Sequence, residues 1–274
     1  MGIQRSDPVF DGSVPEFYDR YLVPLIFEPY AADLVARLLD YGPAAVLEVA
    51  AGSGVVSRAM AAGLSESTQL TVTDLNQPMI DYAKSVGTER AVTWRQADVM
   101  ELPFPDDSFD AVVCQFGVMF FPEKTKAFSE VSRVLRPGGH FLFNVWDCIQ
   151  ANEFADVVTT AVSALYPDDP PLFLDRTPHG YFDHELIRSD LLSGGFGPAE
   201  IVALDATSRA ATCEIPALAY CHGTPLRNEI EARDPQGLAE ATELAATALE
   251  KRFGATDLES TTRGFVVGAK AESL

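Results

Sequence analysis

The chain has 274 residues and a mass of 29.7 kDa, a size that fits one large domain or one domain with a sizeable insertion. Hydrophobic residues make up 47% and charged residues 22%, which is typical of a globular protein with a core and excludes general disorder. The 20 Lys and Arg are outnumbered by 40 Asp and Glu, so the formal net charge is −20. Because such a surface repels phosphate backbones and anionic membranes, neither a nucleic acid nor a membrane is expected as a partner.

The four cysteines form no Cys-x-x-Cys pair and no Cys/His cluster with the spacing of metal ligands, so the sequence predicts no metal site. The N-terminal sequence carries acids and prolines where a signal peptide has an apolar stretch. No later run reaches membrane-spanning length. These features indicate a cytoplasmic protein with reduced thiols.

The predicted elements begin with an aromatic-rich segment and a helix within 1–42. From 43 to 147, short apolar runs alternate with amphipathic stretches. The predicted strands are 44–50, 69–74, 91–98, 109–116 and 140–147, and the predicted helices are 55–64, 77–86 and 122–139. Since parallel neighbours need a crossover helix, this alternation predicts an α/β fold with a doubly wound, mostly parallel sheet that is covered on both faces.

Beyond residue 147 the alternation weakens. The predicted order is a helix near 151–165, a proline-rich loop at 166–182, a strand at 199–210, helical stretches near 214–232 and 235–253, and a last strand at 262–271. The stretch at 211–260 is too long for a hairpin connection. We therefore expect a helical cap inserted there, before the last strand.

The most informative segment is VLEVAAGSG at 46–54, where a predicted strand ends in Glu48 and a turn of small residues precedes a helix. Small residues let the backbone approach a ligand, and a helix N-terminus offers amide donors. Asp74 ends the second predicted strand and Asp98 ends the third. Because adjacent strand ends lie about 5 Å apart, the three carboxylates are predicted to line one edge of one cleft.

Four motifs in this order resemble the class I S-adenosylmethionine-dependent methyltransferases, in particular their small-molecule branch of the ubiquinone/menaquinone-biosynthesis type. The motifs are VLEVAAGSG, TVTDLNQPMIDYAK (71–84), QADVMELPFPDDSFDAVVCQFGVMFF (96–121) and VLRPGGHFLF (134–143). The resemblance implies a seven-stranded Rossmann-like sheet, with 1–42 as an N-terminal lid, 43–147 as the cofactor-binding core and 148–274 as sheet completion with a substrate cap. One departure is Ala50, where the family has the first glycine of its turn.

S-adenosylmethionine is the cofactor that the resemblance implies. The expected contacts are Tyr18, Glu48, Ala50, Gly52, Asp74, Leu75, Met79, Asp98, Val99 and Gln115. Asp74 is expected to accept both ribose hydroxyls, because a carboxylate presents two oxygens to a diol. Glu48 and the backbone near Gly52 are implied to serve the methionine end, and Tyr18 resembles the aromatic residue that closes over the cofactor. The alternative roles are a helix cap for Asp74 and an anchor of the turn for Glu48.

The adenine ring is implied to contact the ends of the second and third strands. Leu75 and Met79 are expected to press on the face of the ring, although Met79 also fits as a core residue. Asp98 is expected to accept a hydrogen bond from the adenine amino group, while the Val99 amide meets a ring nitrogen. Gln115, at the mouth of the fourth strand, is expected near the methionyl amino group.

The implied reaction is methyl transfer to a small, apolar or aromatic acceptor by in-line displacement, in which positioning supplies much of the acceleration. No catalytic base is evident in the sequence, and the catalytic residues are left unassigned. Aromatic residues predict an apolar acceptor pocket that includes Phe120, Tyr181 and His222. A small-molecule acceptor is the expected partner, and the sequence makes no prediction of oligomeric state.

Two other functions remain open at this point. The first is an NAD-dependent dehydrogenase, because Gly52 and Gly54 begin a partial G-x-G-x-x-G and Asp74 follows at the distance of a ribose acid. Against it, Ser57 stands where the third glycine belongs, and no Tyr-x-x-x-Lys pair is evident. The second is a non-catalytic protein that binds adenosylmethionine, since fold and cofactor do not fix function.

Overall fold

The computed structural model describes Asp7, Gly12 and residues 14–272. The chain begins with α1 (Val14–Phe17), a π-helical segment (Tyr18–Phe27) and α2 (Glu28–Tyr41). The elements that follow are β1 (Ala45–Glu48), α3 (Val55–Gly63), β2 (Gln69–Asp74), α4 (Gln77–Val86), β3 (Thr93–Gln96), β4 (Phe109–Gln115), α5 (Lys124–Val134) and β5 (Leu135–Trp146). This is the alternation of strands and helices that the sequence predicts.

The part of the chain after β5 is mostly helical. Its elements are α6 (Glu153–Ser163), α7 (Phe173–Arg176), α8 (His184–Ser193), β6 (Glu200–Thr212), α9 (Glu214–His222), α10 (Leu226–Arg233), α11 (Leu238–Phe253) and β7 (Thr256–Lys270). Three helices separate β6 from β7, so the helical insertion before the last strand is confirmed.

All seven strands form one sheet in the order β3-β2-β1-β4-β5-β7-β6. β1 pairs in parallel with β2 and β4, β2 with β3, and β4 with β5. β7 runs antiparallel to β5, since Gly138 N donates to Ala271 O and Asp147 N donates to Arg263 O. The prediction of a doubly wound, mostly parallel, seven-stranded sheet is confirmed. The strand order reverses at β1, and open α/β sheets bind ligands beyond the carboxyl ends of the strands at such a point.

A cluster of buried apolar side chains fills one face of the parallel strands. It joins Val46, Ala111 and Leu142 of β1, β4 and β5 to Leu34 of α2 and Met60 of α3. Successive side chains of a strand point to opposite faces. Residues two positions further along these strands, toward their carboxyl ends, therefore face the same side as this core.

The chain divides into two compact units. The first unit comprises the described residues of Met1–Glu28, Trp146–Tyr181 and Asp205–Arg263, and the second comprises Pro29–Val145, Phe182–Leu204 and the described residues of Gly264–Leu274. The second unit contains the parallel strands β1 to β4 and the turn of small residues. The predicted division at 42 and 147 stays a prediction.

A buried ion network lies inside the first unit. Arg176 Nη2 donates to Asp7 Oδ1 at 2.7 Å and to Glu229 Oε1 at 2.6 Å, and the three side chains are 5%, 1% and 6% exposed. Thr177 Oγ1 donates to Asp7 Oδ2 at 2.7 Å. These bonds attach the described N-terminal residue Asp7 to the loop and helix that follow α6.

Several element boundaries differ from the predicted ones. The predicted helix at 122–139 ends at Val134, because the chain from Leu135 onward is already paired in β5. The predicted helix at 214–232 is two helices, α9 and α10, and Pro225 lies between them, where a proline cannot continue a helix. No helix within the described residues is long and apolar enough to span a membrane.

Candidate functional site

A tight turn joins β1 to α3 at the carboxyl edge of the sheet. Ala50, Gly52 and Gly54 have φ values of 53°, 56° and 87°, in the left-handed region that favours glycine. Ala51 N donates to Thr73 O at 3.0 Å, which ties the turn to the end of β2. The positive φ values explain why this segment of the sequence consists of small residues.

The carboxylate of Asp74 holds the same turn against β2. Its Oδ2 accepts a hydrogen bond from Gly52 N at 2.8 Å, and its Oδ1 accepts one from Asn76 N at 2.7 Å. Asp74 is 6% exposed, and burial raises the pKa of its carboxyl group while these backbone bonds oppose the rise. Asn76 Nδ2 also donates to Oδ1 at 3.4 Å, and the Leu75 backbone hydrogen-bonds to the carboxylate as well.

Glu48 is buried at the end of β1. Its Oε2 accepts a hydrogen bond from Ser57 Oγ of α3. Burial raises the pKa of Glu48 to about 8; the Ser57 hydrogen bond lowers it and the nearby Asp74 carboxylate raises it. Glu48 is therefore mostly protonated at pH 7, and it anchors α3 through a side chain rather than through backbone amides.

The strand register places three polar side chains in one row. The register is fixed by Glu48 of β1, which pairs with one residue of β2 and one residue of β4. Asp74 lies two positions after that residue of β2, and Gln115 lies two positions after that residue of β4. Gln115 is itself in register with Asn144 of β5. Asp74, Gln115 and Asn144 therefore share one level and one face of the sheet, just beyond the apolar core.

The loops after β2 and β3 carry three of the predicted contacts. Leu75 is 48% exposed, and its carbonyl oxygen accepts a hydrogen bond from Gln96 Nε2 at 2.8 Å. Asp98 lies two residues after the end of β3 rather than in the strand, and its Oδ1 accepts a hydrogen bond from Met100 N at 2.9 Å. Asp98 is exposed and Val99 is half-buried. An exposed leucine and an exposed carboxylate thus lie on neighbouring loops of the sheet edge.

Two other predicted residues of the second unit differ in exposure. Met79 lies on α4 and is 2% exposed, which favours its alternative role as a core residue. Phe120 is half-buried in a short 3₁₀ turn that follows β4. Their predicted contacts with a cofactor and an acceptor stay predictions.

The remaining predicted residues belong to the first unit. Tyr18 stacks on Phe27, with 5.0 Å between ring centroids, and His222 stacks on Phe17 at 5.2 Å. Tyr181 is 5% exposed. Their predicted roles as a lid residue and as acceptor contacts also stay predictions.

Three polar residues at this edge are not among the predicted contacts. Ser57 donates to Glu48, as described above. Ser53 Oγ and both polar side-chain atoms of Asn144 are buried and have no hydrogen-bond partner within the described residues. In the sequence, Asn144 is recognisable as the single polar residue inside the apolar run FLFNVW.

Comparison with known proteins finds similar methyltransferases. A family model described as a methyltransferase domain matches residues 47–143, which include the turn, Asp74 and Gln115. The ubiquinone/menaquinone biosynthesis C-methyltransferase UbiE of Brucella abortus is 34% identical over 130 residues, covering 44% of this chain and 44% of that protein. These matches support a class I S-adenosylmethionine-dependent methyltransferase domain at residues 47–143.

Other similar proteins cover more of this chain. An uncharacterised protein of Mycobacterium tuberculosis is 32% identical over 173 residues, 62% of this chain and 60% of that protein. The chain thus spans less than two thirds of the length of the curated relatives that it matches. The solved structure of YcgJ from Bacillus subtilis has a TM-score of 0.60 at 16% identity, covering 90% of this chain and 100% of that one. A putative methyltransferase from Bacillus halodurans has a TM-score of 0.55 at 19% identity, covering 87% and 99%. These two likenesses show the fold.

The residues at the sheet edge fit the cofactor of this methyltransferase family. Asp74 offers a carboxylate to a diol, and Leu75 offers an exposed apolar side chain to an aromatic ring. The buried Ser53 hydroxyl, which lies in the turn, has no hydrogen-bond partner within the described residues. Among the described residues, no group of three or more His, Cys, Asp or Glu side chains could hold a metal ion.

Proposed function

We propose that this chain transfers a methyl group from S-adenosylmethionine to a small, apolar or aromatic acceptor by in-line displacement. The observation that carries the proposal is the hydrogen bond between the Asp74 carboxylate and the Gly52 amide, at the carboxyl edge where the strand order reverses. It supports a site in which one acid fixes a turn of small residues and also offers acceptor oxygens to a ribose.

The proposed cofactor contacts follow the sheet edge. Asp74 accepts from the ribose hydroxyls, and the exposed Leu75 packs on the adenine face. Asp98 and the Val99 amide contact the edge of the adenine. Gln115 contacts the methionyl amino group at the mouth of β4. Met79, an apolar side chain that is 2% exposed on α4, fits its alternative role in the core.

The proposed turn contacts involve Glu48, Ala50 and Gly52, with Tyr18 as the aromatic lid residue. Glu48 has a pKa of about 8 because it is buried. A cationic group bound nearby favours the ionised form of such a carboxyl. The cofactor supplies a methyl group on a cationic sulfur, so Glu48 supports binding of a cation at the methionine end.

Orientation is the main task of the protein in this proposal. The bound cofactor brings an activated methyl group, and holding a nucleophile in line with it lowers the barrier by a large entropic contribution. No residue is assigned as a catalytic base, since an acceptor that binds ionised needs none.

A small aromatic acceptor is supported by two observations. Phe120, Tyr181 and His222, which the sequence predicts as acceptor contacts, each carry a half-buried or buried ring. The Brucella relative is named for C-methylation in ubiquinone/menaquinone biosynthesis, which supports a quinone-like or phenolic ring as the acceptor. The net charge of −20 argues against a nucleic acid as the acceptor.

The two alternatives are not favoured. A dehydrogenase would need the third glycine of its dinucleotide-binding turn at position 57. This chain has Ser57 there, which is fully buried and donates a hydrogen bond to Glu48. The family model and the Brucella relative are named as methyltransferases, and neither they nor the Mycobacterium relative is named as a dehydrogenase or as a non-catalytic binder.

The proposal is tested with S-adenosylmethionine that carries an isotopic label in its methyl group. The purified full chain is incubated with a panel of apolar phenols, quinones and carboxylic acids, and the products are examined by mass spectrometry. We expect label in at least one aromatic acceptor, with S-adenosylhomocysteine released in equal amount, and loss of both with Asp74→Asn. Binding of the cofactor without transfer to any member of the panel would instead favour the non-catalytic alternative.

A further inference from the structure

Asn144 is an enclosed polar side chain near the carboxyl end of β5. It is 0% exposed, and neither its Oδ1 nor its Nδ2 has a hydrogen-bond partner within the described residues. Its backbone carbonyl accepts a hydrogen bond from Phe116 N at 3.2 Å. Leaving a buried amide unpaired costs free energy, so such a residue in a folded protein calls for an explanation.

Packing does not demand an amide at this position. The neighbours of Asn144 along β5 are Leu142, Phe143 and Val145, which are at most 2% exposed. A strand buried on both faces is normally a continuous apolar run. A leucine of similar size would therefore satisfy the local environment better than asparagine does.

The position of Asn144 in the sheet links it to the proposed cofactor site. Asn144 is in register with Gln115, so the two side chains lie one strand spacing apart, about 5 Å. Asp74 lies in the same row, two strand spacings before Gln115, about 10 Å away. A ligand that extends from Asp74 to Gln115 therefore ends next to Asn144.

The unpaired atoms of Asn144 specify the chemistry of a partner. Oδ1 accepts hydrogen bonds, and Nδ2 donates two. A partner for both needs a donor and an acceptor on neighbouring atoms. The α-amino acid group of S-adenosylmethionine has both, since its ammonium donates and its carboxylate accepts.

We propose that Asn144 is a further cofactor-binding residue, in which Oδ1 accepts from the α-ammonium group and Nδ2 donates to the α-carboxylate. This inference rests on the proposed function, because it requires that the nucleoside end be held at Asp74. Asn144 lies one residue beyond the segment that the family model matches.

The test compares two ligands on the full chain by isothermal titration calorimetry. S-adenosylhomocysteine contains the amino-acid end, whereas 5′-methylthioadenosine keeps the nucleoside and the thioether without it. For Asn144→Leu we expect at least a tenfold loss of affinity for S-adenosylhomocysteine and a change of less than twofold for 5′-methylthioadenosine. The melting temperature of the unliganded variant is expected to equal or exceed that of the wild type, since two unpaired polar groups are removed.

A matched control is Thr159→Val in α6 of the first unit. Thr159 Oγ1 is also buried without a partner in the described part of the chain, so this variant removes an unpaired polar group on a helix of the first unit. We expect a similar gain in melting temperature and unchanged affinity for both ligands. Asn144→Ser is titrated in the same way in case the leucine variant does not fold, with the same loss expected for S-adenosylhomocysteine alone.

The outcomes separate this inference from the proposed function. If the wild type binds both ligands and Asn144→Leu or Asn144→Ser binds them equally well, Asn144 is a structural residue and the inference is wrong. Equal losses for both ligands would also overturn it, because the amide would then not contact the amino-acid end. If the wild type binds neither ligand, the proposed function itself fails.

Discussion

The Gly52 amide donates a hydrogen bond to the Asp74 carboxylate at 2.8 Å, which joins the turn after β1 to the end of β2. The other carboxylate oxygen accepts from Asn76 N at 2.7 Å, at the start of the loop before α4. One acid thus fixes two backbone segments and still faces the carboxyl edge of the sheet. The requirement for an acid here is both structural and, in our proposal, functional.

We predict that Asp74→Asn lowers the affinity for S-adenosylhomocysteine about ten- to a hundredfold. An amide retains one acceptor oxygen but loses the charge, and hydrogen bonds to a charged group contribute about 1.5–3 kcal/mol. Calorimetric titration of the folded variant measures the change. The control is Asp81→Asn on the exposed side of α4, where the carboxylate accepts a hydrogen bond from a neighbouring side chain, Gln77 Nε2 at 2.7 Å. Equal affinity in Asp74→Asn and wild type would remove Asp74 from the site.

We predict that glycine substitutions at two adjacent alanines, Ala50 and Ala51, change the free energy of unfolding in opposite directions. Ala50 has a φ of 53°, whereas Ala51 is 7% exposed and has no positive φ. Ala50→Gly should raise the free energy of unfolding by up to about 1 kcal/mol, because glycine relieves the left-handed conformation. Ala51→Gly should lower it by about 0.5–1 kcal/mol, through the greater backbone entropy that glycine loses on folding. Urea unfolding of both variants measures the difference, and a loss of stability in Ala50→Gly would contradict the conformation described.

Glu48 makes stability depend on pH. Its folded pKa of about 8 lies above the ordinary glutamate value of 4.5, so the unfolded chain releases the proton first as the pH rises. The stability contributed by protonated Glu48 is thus fully present below about pH 4.5 and is lost as the pH rises through about 8. We expect Glu48→Gln to show a smaller fall in melting temperature than the wild type between pH 6 and pH 9. Parallel curves for the two proteins would mean that Glu48 is already ionised in the folded state.

The network around Arg176 predicts a large loss of stability from one substitution. Arg176→Met leaves the Asp7 and Glu229 carboxylates buried without their cation, which costs about 3–5 kcal/mol for such pairs. Arg209→Met removes a pair with Glu259 whose side chains are 68% and 62% exposed, and should cost less than about 1 kcal/mol. Thermal unfolding of the two variants provides the comparison. Similar losses in both would show that the buried network adds nothing beyond a surface pair.

Local sequence patterns predict some elements of the core to the residue. The structure has a strand at Gln69–Asp74 and a helix at Gln77–Val86, the same bounds that alternation, helical periodicity and an early proline indicate. The start of β5 is different, because it depends on pairing with distant strands. Gly138 N donates to Ala271 O, a bond across more than 100 residues that no local pattern contains.

The same contrast holds within the candidate site. The turn and Asp74 are predicted from small residues and an acid at a strand end, since those needs are local. The row of Asp74, Gln115 and Asn144 depends on the register of four strands, and the Ser57–Glu48 bond depends on how α3 packs on β1. Tertiary pairing decides these features, so the sequence alone does not reveal them.

The central claim is tested most directly by an equilibrium titration of the purified chain with S-adenosylmethionine and, separately, with NAD⁺. We predict saturable binding of S-adenosylmethionine at one site per chain, competition by S-adenosylhomocysteine and no saturable binding of NAD⁺. Saturation by NAD⁺, or the absence of any S-adenosylmethionine binding by the folded protein, would contradict the proposed function.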